Sequence, residues 1–258
     1  MKTTVQRHQV DLLQVEVCAD RQAMGAQAAE QAAAHLRQLL ATQSEVRIIF
    51  AAAPSQNEFL DQLARAADID WSRVTAFHMD EYIGLSEQAP QRFSHYLEQH
   101  IFQLVKPGKV FLIPSSGDPL AICADYAGLI QQAPIDMVCL GIGENGHLAF
   151  NDPPVADFAD LQWMKAVELD EICRQQQVND GCFPTLETVP RFALTLTIPA
   201  LMAARRLFCM VPGANKRRAV SATLYDPISA ACPATVLRRH PQCTLYTDQA
   251  AFQERMHG

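Results

Sequence analysis

The sequence predicts a single α/β domain over residues 1–258, a three-layer Rossmann-like fold with a mostly parallel central sheet and helices on both faces. Short apolar runs alternate with helix-like segments along the chain, which is typical of a parallel sheet. Several of these runs end in turns of small and polar residues, where open α/β sheets bind their ligands. The chain has neither an internal repeat nor a low-complexity linker, and 258 residues suffice for one large core.

In the first half of the chain we predict strands and helices in alternation. The strands are the apolar runs at 10–17, 46–51, 74–79 and 110–113. The first helix is the alanine-rich segment 21–41, with Asp20 as its N-cap. Further helices are predicted over 58–67, 90–102 and 119–130, the last with a proline in its first turn.

In the second half, the continuous apolar run 135–142 predicts a strand that is buried on both faces. We predict further strands over 192–198 and 207–211, a short helical segment over 199–204, and a helix from Lys216 to near Tyr225. Segments 158–167 and 169–178 show no pattern that assigns them. The tail holds short segments at 236–238 and 245–247 and a last amphipathic segment that reaches residue 256.

Composition limits the partners. The net charge is −7 and basic residues cluster only in pairs, so we expect no binding to nucleic acid. A small anionic substrate is compatible with this charge, because the local field in a cleft outweighs the net charge. None of the eight cysteines forms a CxxC pair, which favours free thiols in a reducing compartment. The polar N-terminus and the absence of a long apolar run predict a cytoplasmic protein that does not bind membranes.

Two stretches are candidates for catalysis. In 138–154, glycines alternate with polar residues after the apolar run, and His147 follows an Asn-Gly turn. This loop is either catalytic or a structural turn with a hydrogen-bonded histidine. Asp80 and Glu81 directly follow the predicted strand 74–79. Partial burial raises the pKa of such a carboxyl toward the range of a general base, and a solvated loop is the alternative.

Two further turns suit an anion. Ser55 lies in a turn of small residues between a strand and a helix, an arrangement in which backbone N–H groups bind phosphate. Simple capping of the helix by Ser55 is the alternative. Lys216 lies in the first turn of a predicted helix, where a cation opposes the helix dipole, so a bound anion would explain its placement. A solvated lysine is the alternative.

Three segments resemble the signature segments of glucosamine-6-phosphate deaminases (isomerases). They are FHMDEYIGL at 77–85, LGIGENGHLAFNDPP at 140–154 and VPGANKRRAV at 211–220. The resemblance extends over nearly the whole chain and includes VPRFALTLTIPALM at 189–202. The related 6-phosphogluconolactonases share the fold and a version of the histidine loop. They usually lack the FNEP-like continuation, which is nearly kept here as FNDP at 150–153.

The resemblance implies a reaction without cofactor or metal, in which glucosamine 6-phosphate and water give fructose 6-phosphate and ammonia. Asp80 matches the base that moves a proton between C2 and C1 of the open-chain sugar, and His147 matches the acid/base that opens the ring.

The resemblance also implies the residues that hold the phosphate. Lys216 matches the phosphate-binding lysine, and residues 53–56 occupy the place of the family's GGTP loop. Ser55 and Gln56 are therefore implied as phosphate contacts. The phosphate-contacting arginine has no clean match, and Arg174 is the nearest candidate.

The sequence departs from the family pattern around His147. Asn145 replaces the usual aspartate, and Asp152 is shorter than the usual glutamate. An amide can orient the imidazole but cannot stabilise its protonated form by charge. We therefore predict slower ring opening, or an Asp152 that supplies the whole electrostatic contribution. Segment 155–165 also lacks the serines and basic residues of the allosteric site in some members, so we expect no regulation by an acetylated amino-sugar phosphate.

Three alternatives stay open beside the deamination of glucosamine 6-phosphate. Galactosamine 6-phosphate is one, because nothing in the sequence selects the C4 configuration. A 6-phosphogluconolactonase-like hydrolase would use His147 to activate water and would not need Asp80 as a carbon base. A catalytically weakened sugar-phosphate sensor would need neither residue. The predicted partner is a small hexosamine 6-phosphate, and a homo-oligomer is left open because family members range from monomers to hexamers.

Overall fold

The computed structural model describes residues 5–253, and alternating strands and helices make up most of this part of the chain. The strands are β1 (Gln6–Val10), β2 (Leu13–Cys18), β3 (Val46–Phe50), β4 (Val74–His78), β5 (Asp80–Tyr82), β6 (Lys109–Phe111), β7 (Met137–Leu140), β8 (Met164–Glu168), β9 (Phe192–Leu196), β10 (Arg206–Val211) and β11 (Cys243–Asp248). The helices are α1 (Arg21–Thr42), α2 (Asn57–Ala64), α3 (Phe93–Leu97), α4 (Gln103–Val105), α5 (Pro119–Gln131), α6 (Glu171–Asn179), α7 (Ile198–Met202) and α8 (Arg217–Tyr225).

The central sheet has the strand order β1-β2-β11-β10-β7-β3-β4-β6. Every neighbouring pair is parallel except β1 and β2, which form an antiparallel hairpin at one edge. Residues of β3 alternate between two cores, as side chains of a strand must. Ile48 and Phe50 pack in the core that α1 and α2 cover, whereas Ile49 packs in the core that α5, α7 and α8 cover. The predicted α/β fold with a mostly parallel sheet and helices on both faces is confirmed.

A second, smaller sheet was not predicted. It is antiparallel, with the order β5-β9-β8. The predicted strand 74–79 therefore ends at His78, because the chain leaves the central sheet at Met79 and pairs with β9 instead. The predicted strand 192–198 is β9, and β8 forms the end of a segment to which the sequence assigned no structure.

One further predicted strand needed correction, and one segment without a predicted structure is a helix. The predicted strand 10–17 begins at the end of β1, contains the hairpin turn, in which Asp11 takes a left-handed conformation (φ 52°), and continues as β2. Segment 169–178, left unassigned from the sequence, forms most of α6. The short segment 236–238 lies in the 3₁₀ helix Pro233–Arg239, and 245–247 lies in β11. The remaining predicted elements are present with shifted ends, and the end of the last amphipathic segment lies outside the described residues.

None of the helices within residues 5–253 is both long enough and apolar enough to cross a membrane.

Close contact between α1 and α2 depends on Gly25. A Cβ added at Gly25 would lie 2.4 Å from the Cβ of Glu58 and 2.9 Å from the backbone nitrogen of Phe59. Backbone atoms cannot move aside as a flexible side chain can, so only glycine permits this approach. Asp20 caps the same helix by accepting a hydrogen bond from the Ala23 N–H.

We predict that Gly25→Ala lowers the free energy of unfolding by about 1–3 kcal/mol, because the added methyl group forces α1 away from α2. The matched control is Gly128→Ala in the exposed part of α5, where an added Cβ meets no atom within 4 Å. That change should stabilise the protein by roughly 0.5–1 kcal/mol through helix propensity. Urea unfolding of the two variants measures both values, and equal effects at the two positions would contradict the packing argument.

Candidate active site

A cavity of about 390 Å³ lies at the carboxyl edge of the central sheet. It is lined by the segments that follow four adjacent parallel strands, β10, β7, β3 and β4. The chain leaves β3 for β4 and β6 and then returns to the other side of β3 as β7. This is a topological switch point, where open α/β sheets bind ligands. The volume is within the range of about 300–1,000 Å³ that small-molecule sites have.

Two glycines shape the loop that presents His147 to the cavity. Gly146 has a φ of +86°, a left-handed conformation that side chains rarely adopt. A Cβ at Gly143 would lie 2.1 Å from the Cε1 atom of the His147 ring. The Gly143 N–H donates to the His147 carbonyl oxygen at 2.9 Å and closes the loop. The imidazole therefore lies over a position that only glycine can occupy.

Asp152 connects the imidazole to Asn145. The His147 Nδ1 atom lies 2.9 Å from Asp152 Oδ1, but its N–H direction is poorly aligned, so the contact is mainly electrostatic. Asn145 Nδ2 donates to the same oxygen at 2.8 Å, and Asn145 Oδ1 accepts from the His147 backbone N–H at 3.0 Å. Asn145 thus acts on the ring through Asp152 and the loop backbone. Nε2 is left as the ring nitrogen available to a ligand.

Asp152 stays ionised although it is buried. Burial alone would raise the pKa of its carboxyl, but the facing His147 ring, the hydrogen bond from Asn145 and the nearby Cys173 thiol outweigh it and hold this pKa below its ordinary value. Burial first, and then the charge of Asp152, raises the pKa of the Cys173 thiol well above its ordinary value. The thiol is therefore protonated, and its Sγ lies within 4.8 Å of donor atoms of Asp152 and His147, a proximity that sequence reasoning missed.

The same three side chains are the described residues that could hold a metal ion. Donor atoms of His147, Asp152 and Cys173 lie within 4.8 Å of one another. A metal ion there would take the Nδ1 atom that faces Asp152. It would therefore compete with the arrangement that orients the imidazole.

Asp80 lines the cavity from the first position of β5. Burial and, second, the charge of Glu81 raise the pKa of its carboxyl well above the ordinary value. His78 Nδ1 lies 2.9 Å from the Asp80 backbone oxygen, and His78 Nε2 accepts from the Ile113 N–H at 2.8 Å. Burial lowers the pKa of His78 to about 4, so this ring is neutral and fixes the backbone beside Asp80.

Glu81 does not line the cavity, which corrects its prediction as a catalytic residue. Successive side chains of a strand point to opposite faces, so Glu81 points away from the face that carries Asp80. Its carboxylate accepts from the backbone N–H groups of Phe93 and Ser94, both at 3.1 Å, and from the Ser94 hydroxyl at 2.8 Å. Arg92 Nε lies 3.4 Å away. Glu81 therefore anchors the start of α3.

Lys216 and Ser55 both line the cavity. Lys216 is only 5% exposed, and burial lowers the pKa of its ammonium, with Asp180 and Glu144 opposing this shift. No described carboxylate lies within 4.0 Å of the Lys216 ammonium. A buried cation without a close partner is a suitable contact for an anionic ligand.

Gln56 lies behind Ser55 and outside the cavity lining. Its Nε2 donates to Ser55 Oγ at 3.1 Å and lies 3.4 Å from the carbonyl oxygens of Leu140 and Met210. Those carbonyls belong to the ends of β7 and β10. Gln56 therefore holds two strand ends and the Ser55 hydroxyl together, and its predicted direct contact with a phosphate is not supported by this position.

Arg174 also lies away from the cavity, which corrects its prediction as a phosphate contact. Its Nη2 donates to the carbonyl oxygens of Leu186 and Val189 at 2.7 and 3.0 Å. Helix α6 instead faces the cavity with Gln176, Gln177 and, just after its end, Asp180. Arg174 lies three residues before Gln177, but its two bonds to backbone carbonyls hold the guanidinium away from the cavity.

Sequence reasoning missed several residues that line the cavity. They are Arg21 from the start of α1, Gln176, Gln177, Asp180 and Cys182 from the α6 region, and Asn215 beside Lys216. The polar spacing of 176, 177 and 180 was a readable signal for a helix face. Nothing in the sequence around Arg21 pointed to the cavity, since only the fold brings α1 there.

Together these groups suit proton transfer on a small anionic molecule. Asp80 is a carboxylate with a raised pKa, as a general base requires. His147 is an imidazole held by an ionised carboxylate, and an imidazole can both accept and donate a proton. Lys216 supplies a cation at the same cavity.

Comparison with known sequences identifies close relatives. The family described as glucosamine-6-phosphate isomerases/6-phosphogluconolactonase matches residues 19–246. A glucosamine-6-phosphate deaminase of Lactobacillus delbrueckii subsp. bulgaricus is 34% identical over 188 residues, or 72% of this chain and 78% of that protein. A glucosamine-6-phosphate deaminase of Listeria innocua is 33% identical over 212 residues, or 81% of this chain and 88% of that protein.

Solved structures of deaminases and lactonases superpose on this chain. A monomeric glucosamine-6-phosphate deaminase superposes with a TM-score of 0.84 at 29% identity, covering 92% of this chain and 98% of that one. A 6-phosphogluconolactonase of Thermotoga maritima superposes with a TM-score of 0.74 at 18% identity, covering 91% and 99%. The second likeness concerns the fold alone.

We predict that Asp80→Asn raises the melting temperature at neutral pH. The folded state holds a proton on Asp80 to a higher pH than the unfolded chain does. Stability is therefore lost as the pH rises from the unfolded pKa of Asp80, about 3.9, towards its higher folded pKa. The gain should vanish below that pH, where both states are protonated. Asp61→Asn, at an exposed carboxylate paired with Arg65, is the control and should give no rise. Calorimetry across pH measures both, and a destabilised Asp80→Asn protein at neutral pH would refute the prediction.

Proposed function

The chain belongs to the family of glucosamine-6-phosphate isomerases and 6-phosphogluconolactonases, and we propose that this enzyme converts glucosamine 6-phosphate and water into fructose 6-phosphate and ammonia. The single observation that carries the proposal is that Asp80, His147 and Lys216 line one cavity. Relatives that share about a third of their residues with this chain are glucosamine-6-phosphate deaminases.

His147 opens the sugar ring in this proposal. Ring opening removes a proton from the C1 hydroxyl and delivers one to the ring oxygen as the C1–O bond breaks. An imidazole can perform both transfers near neutral pH. The electrostatic contact with Asp152 supports this role, because it favours the protonated form of the ring during the transfer.

Asp80 then acts on the open-chain aldehyde. Its carboxylate takes the proton from C2, and the electron pair of that C–H bond forms the C1–C2 double bond. The π pair of the C1 carbonyl moves onto its oxygen, which takes a proton from solvent, and the product is an enolamine. Return of the proton at C1 leaves an iminium group at C2. Water adds there, the C–N bond breaks, and ammonia leaves as the C2 ketone forms. A carboxyl with a raised pKa suits both the removal and the return of the proton.

Lys216 and Ser55 hold the phosphate end in this proposal. The Lys216 ammonium supplies charge, and the Ser55 hydroxyl supplies a donor beside the 3₁₀ turn Pro54–Gln56. The reaction uses neither cofactor nor metal. We also propose a cytoplasmic location, because all eight cysteines are free and most are buried, as suits a reducing compartment.

Galactosamine 6-phosphate is a second candidate substrate within the same chemistry. A lactonase activity is the candidate from a different class, because this chain shares its fold with 6-phosphogluconolactonases. Water activation would require His147 but not a carbon base, so the position of Asp80 in the cavity favours the deaminase. A sensor would need neither group.

We predict that the protein releases ammonia and fructose 6-phosphate from glucosamine 6-phosphate, and that Asp80→Asn lowers kcat by about 100-fold or more, because the carbon base is lost. Asp61→Asn, outside the cavity, should keep the activity. Coupled assays for ammonia and fructose 6-phosphate measure the rates on both hexosamine phosphates. Hydrolysis of 6-phosphogluconolactone that survives Asp80→Asn would support the lactonase instead, and binding without turnover would support the sensor.

We predict that Asn145→Asp moves the acidic limb of the pH–rate profile to higher pH. The new carboxylate would lie near 2.8 Å from Asp152 Oδ1, so the two groups would share a proton until a higher pH is reached. Gln175→Glu, an amide-to-acid change at an exposed position of α6, is the control and should leave the profile in place. An acidic limb that stays where the unchanged protein has it would show that Asn145 has no electrostatic influence on the reaction.

A further inference from the structure

We propose that Arg21 binds the phosphate group of the substrate together with Lys216. This inference rests on the proposed function, in which the substrate is a sugar phosphate. Arg21 is the first residue of α1 and lies 33 residues before Pro54 in the sequence. No local motif therefore links it to the 3₁₀ turn Pro54–Gln56, which is called the phosphate turn below.

The geometry places the Arg21 guanidinium beside that turn. Arg21 lines the cavity together with Ser55 and Lys216. Its Nη2 donates to the Pro54 carbonyl oxygen at 2.9 Å, directly before Ser55 in the chain. A ligand that contacts the Ser55 hydroxyl would therefore lie close to the guanidinium.

Part of the guanidinium is held by the protein and part is free. Arg21 Nε and Nη2 donate to the two carboxylate oxygens of Glu58 at 2.7 and 3.0 Å. No acceptor within residues 5–253 is bonded to Nη1, although the guanidinium carries five N–H donors. The ion pair with Glu58 thus fixes the plane of the group and leaves the two N–H donors of Nη1 for an anion.

Helix packing holds this position. Gly25 lies one turn after Arg21 and allows α1 to touch α2 at Glu58. The contact brings the first turn of α1 over the phosphate turn. A cation in the first turn of a helix opposes the helix dipole, so Arg21 is unfavourable for the helix by itself. Its pairing with Glu58 and a bound anion would both offset this cost.

Charge balance in the cavity calls for a second cation. Asp180 and Glu144 interact with the Lys216 ammonium, and Asp180 also interacts with Arg21. A phosphate dianion beside Lys216 alone would be repelled by these carboxylates. Arg21 and Lys216 are the lysine and arginine side chains among the described residues of the cavity wall, and Arg174 is engaged elsewhere.

The test measures binding of inorganic phosphate to the full-length protein by its effect on the melting temperature, with titration calorimetry for the dissociation constant. We expect phosphate to stabilise the unchanged protein, and Arg21→Gln to weaken phosphate binding about tenfold, comparable to Lys216→Gln. Arg21→Lys keeps the charge without the fork and should fall between. Arg65→Gln, which removes an exposed arginine paired with Asp61, is the matched control and should bind phosphate normally.

The double variant Arg21→Gln/Glu58→Gln separates the lost cation from an exposed Glu58 carboxylate. Continued weak binding in the double variant supports the proposal. Binding restored to the original strength would show that Glu58 alone caused the loss, and would overturn it. An Arg21→Gln protein that melts earlier but binds phosphate with unchanged affinity would also overturn it, as would an unchanged protein that binds no phosphate.

This measurement is independent of turnover. Phosphate binding that depends on Arg21 in a protein that releases no ammonia would reject the proposed function and keep this inference. Ammonia release with phosphate affinity independent of Arg21 would do the reverse.

Discussion

The parallel register of four strands is the constraint on which the site depends. Val138 of β7 lies opposite Ile49 of β3, and Ile49 lies opposite Phe77 of β4. Cys139 lies opposite Phe208 of β10, so all four strands end at the same edge. A one-residue slip of any of these strands would exchange the side chains of its two faces between the two cores. Four loops that are distant in sequence therefore converge on one cavity.

The cavity keeps polar groups that the protein itself leaves unsatisfied. Burial raises the pKa of Asp80 and lowers that of Lys216, so each charged form is disfavoured in the folded protein without a ligand. Glu81, the next residue after Asp80, shows the contrast. It is fully buried but accepts hydrogen bonds from α3 and faces Arg92. Of these two adjacent carboxylates, Glu81 therefore stabilises the fold, whereas Asp80 is left for a ligand in the cavity.

Local patterns in the sequence predicted the groups that follow strand ends, namely Asp80, His147, Ser55 and Lys216, and the structure brings these four to the cavity. Two predicted residues lie outside the cavity lining, where side-chain direction decides the outcome. Glu81 alternates away from the cavity, and the guanidinium of Arg174 bonds to the carbonyls of Leu186 and Val189 instead. The small sheet of β5, β9 and β8 escaped prediction because pairing between segments so far apart leaves no periodic signal in any one of them.

The sequence by itself determined the fold class, the order of most elements and the family, because hydrophobic periodicity and strand-turn-helix patterns are local properties. It also determined that Asn145 and Asp152 differ from the usual residues. Only the tertiary structure decided that Asn145 acts through Asp152, that the Cys173 thiol lies near that carboxylate, and that Arg21 reaches the cavity. These contacts join residues on separate elements, and their distances depend on how helices pack against the sheet rather than on spacing along the chain.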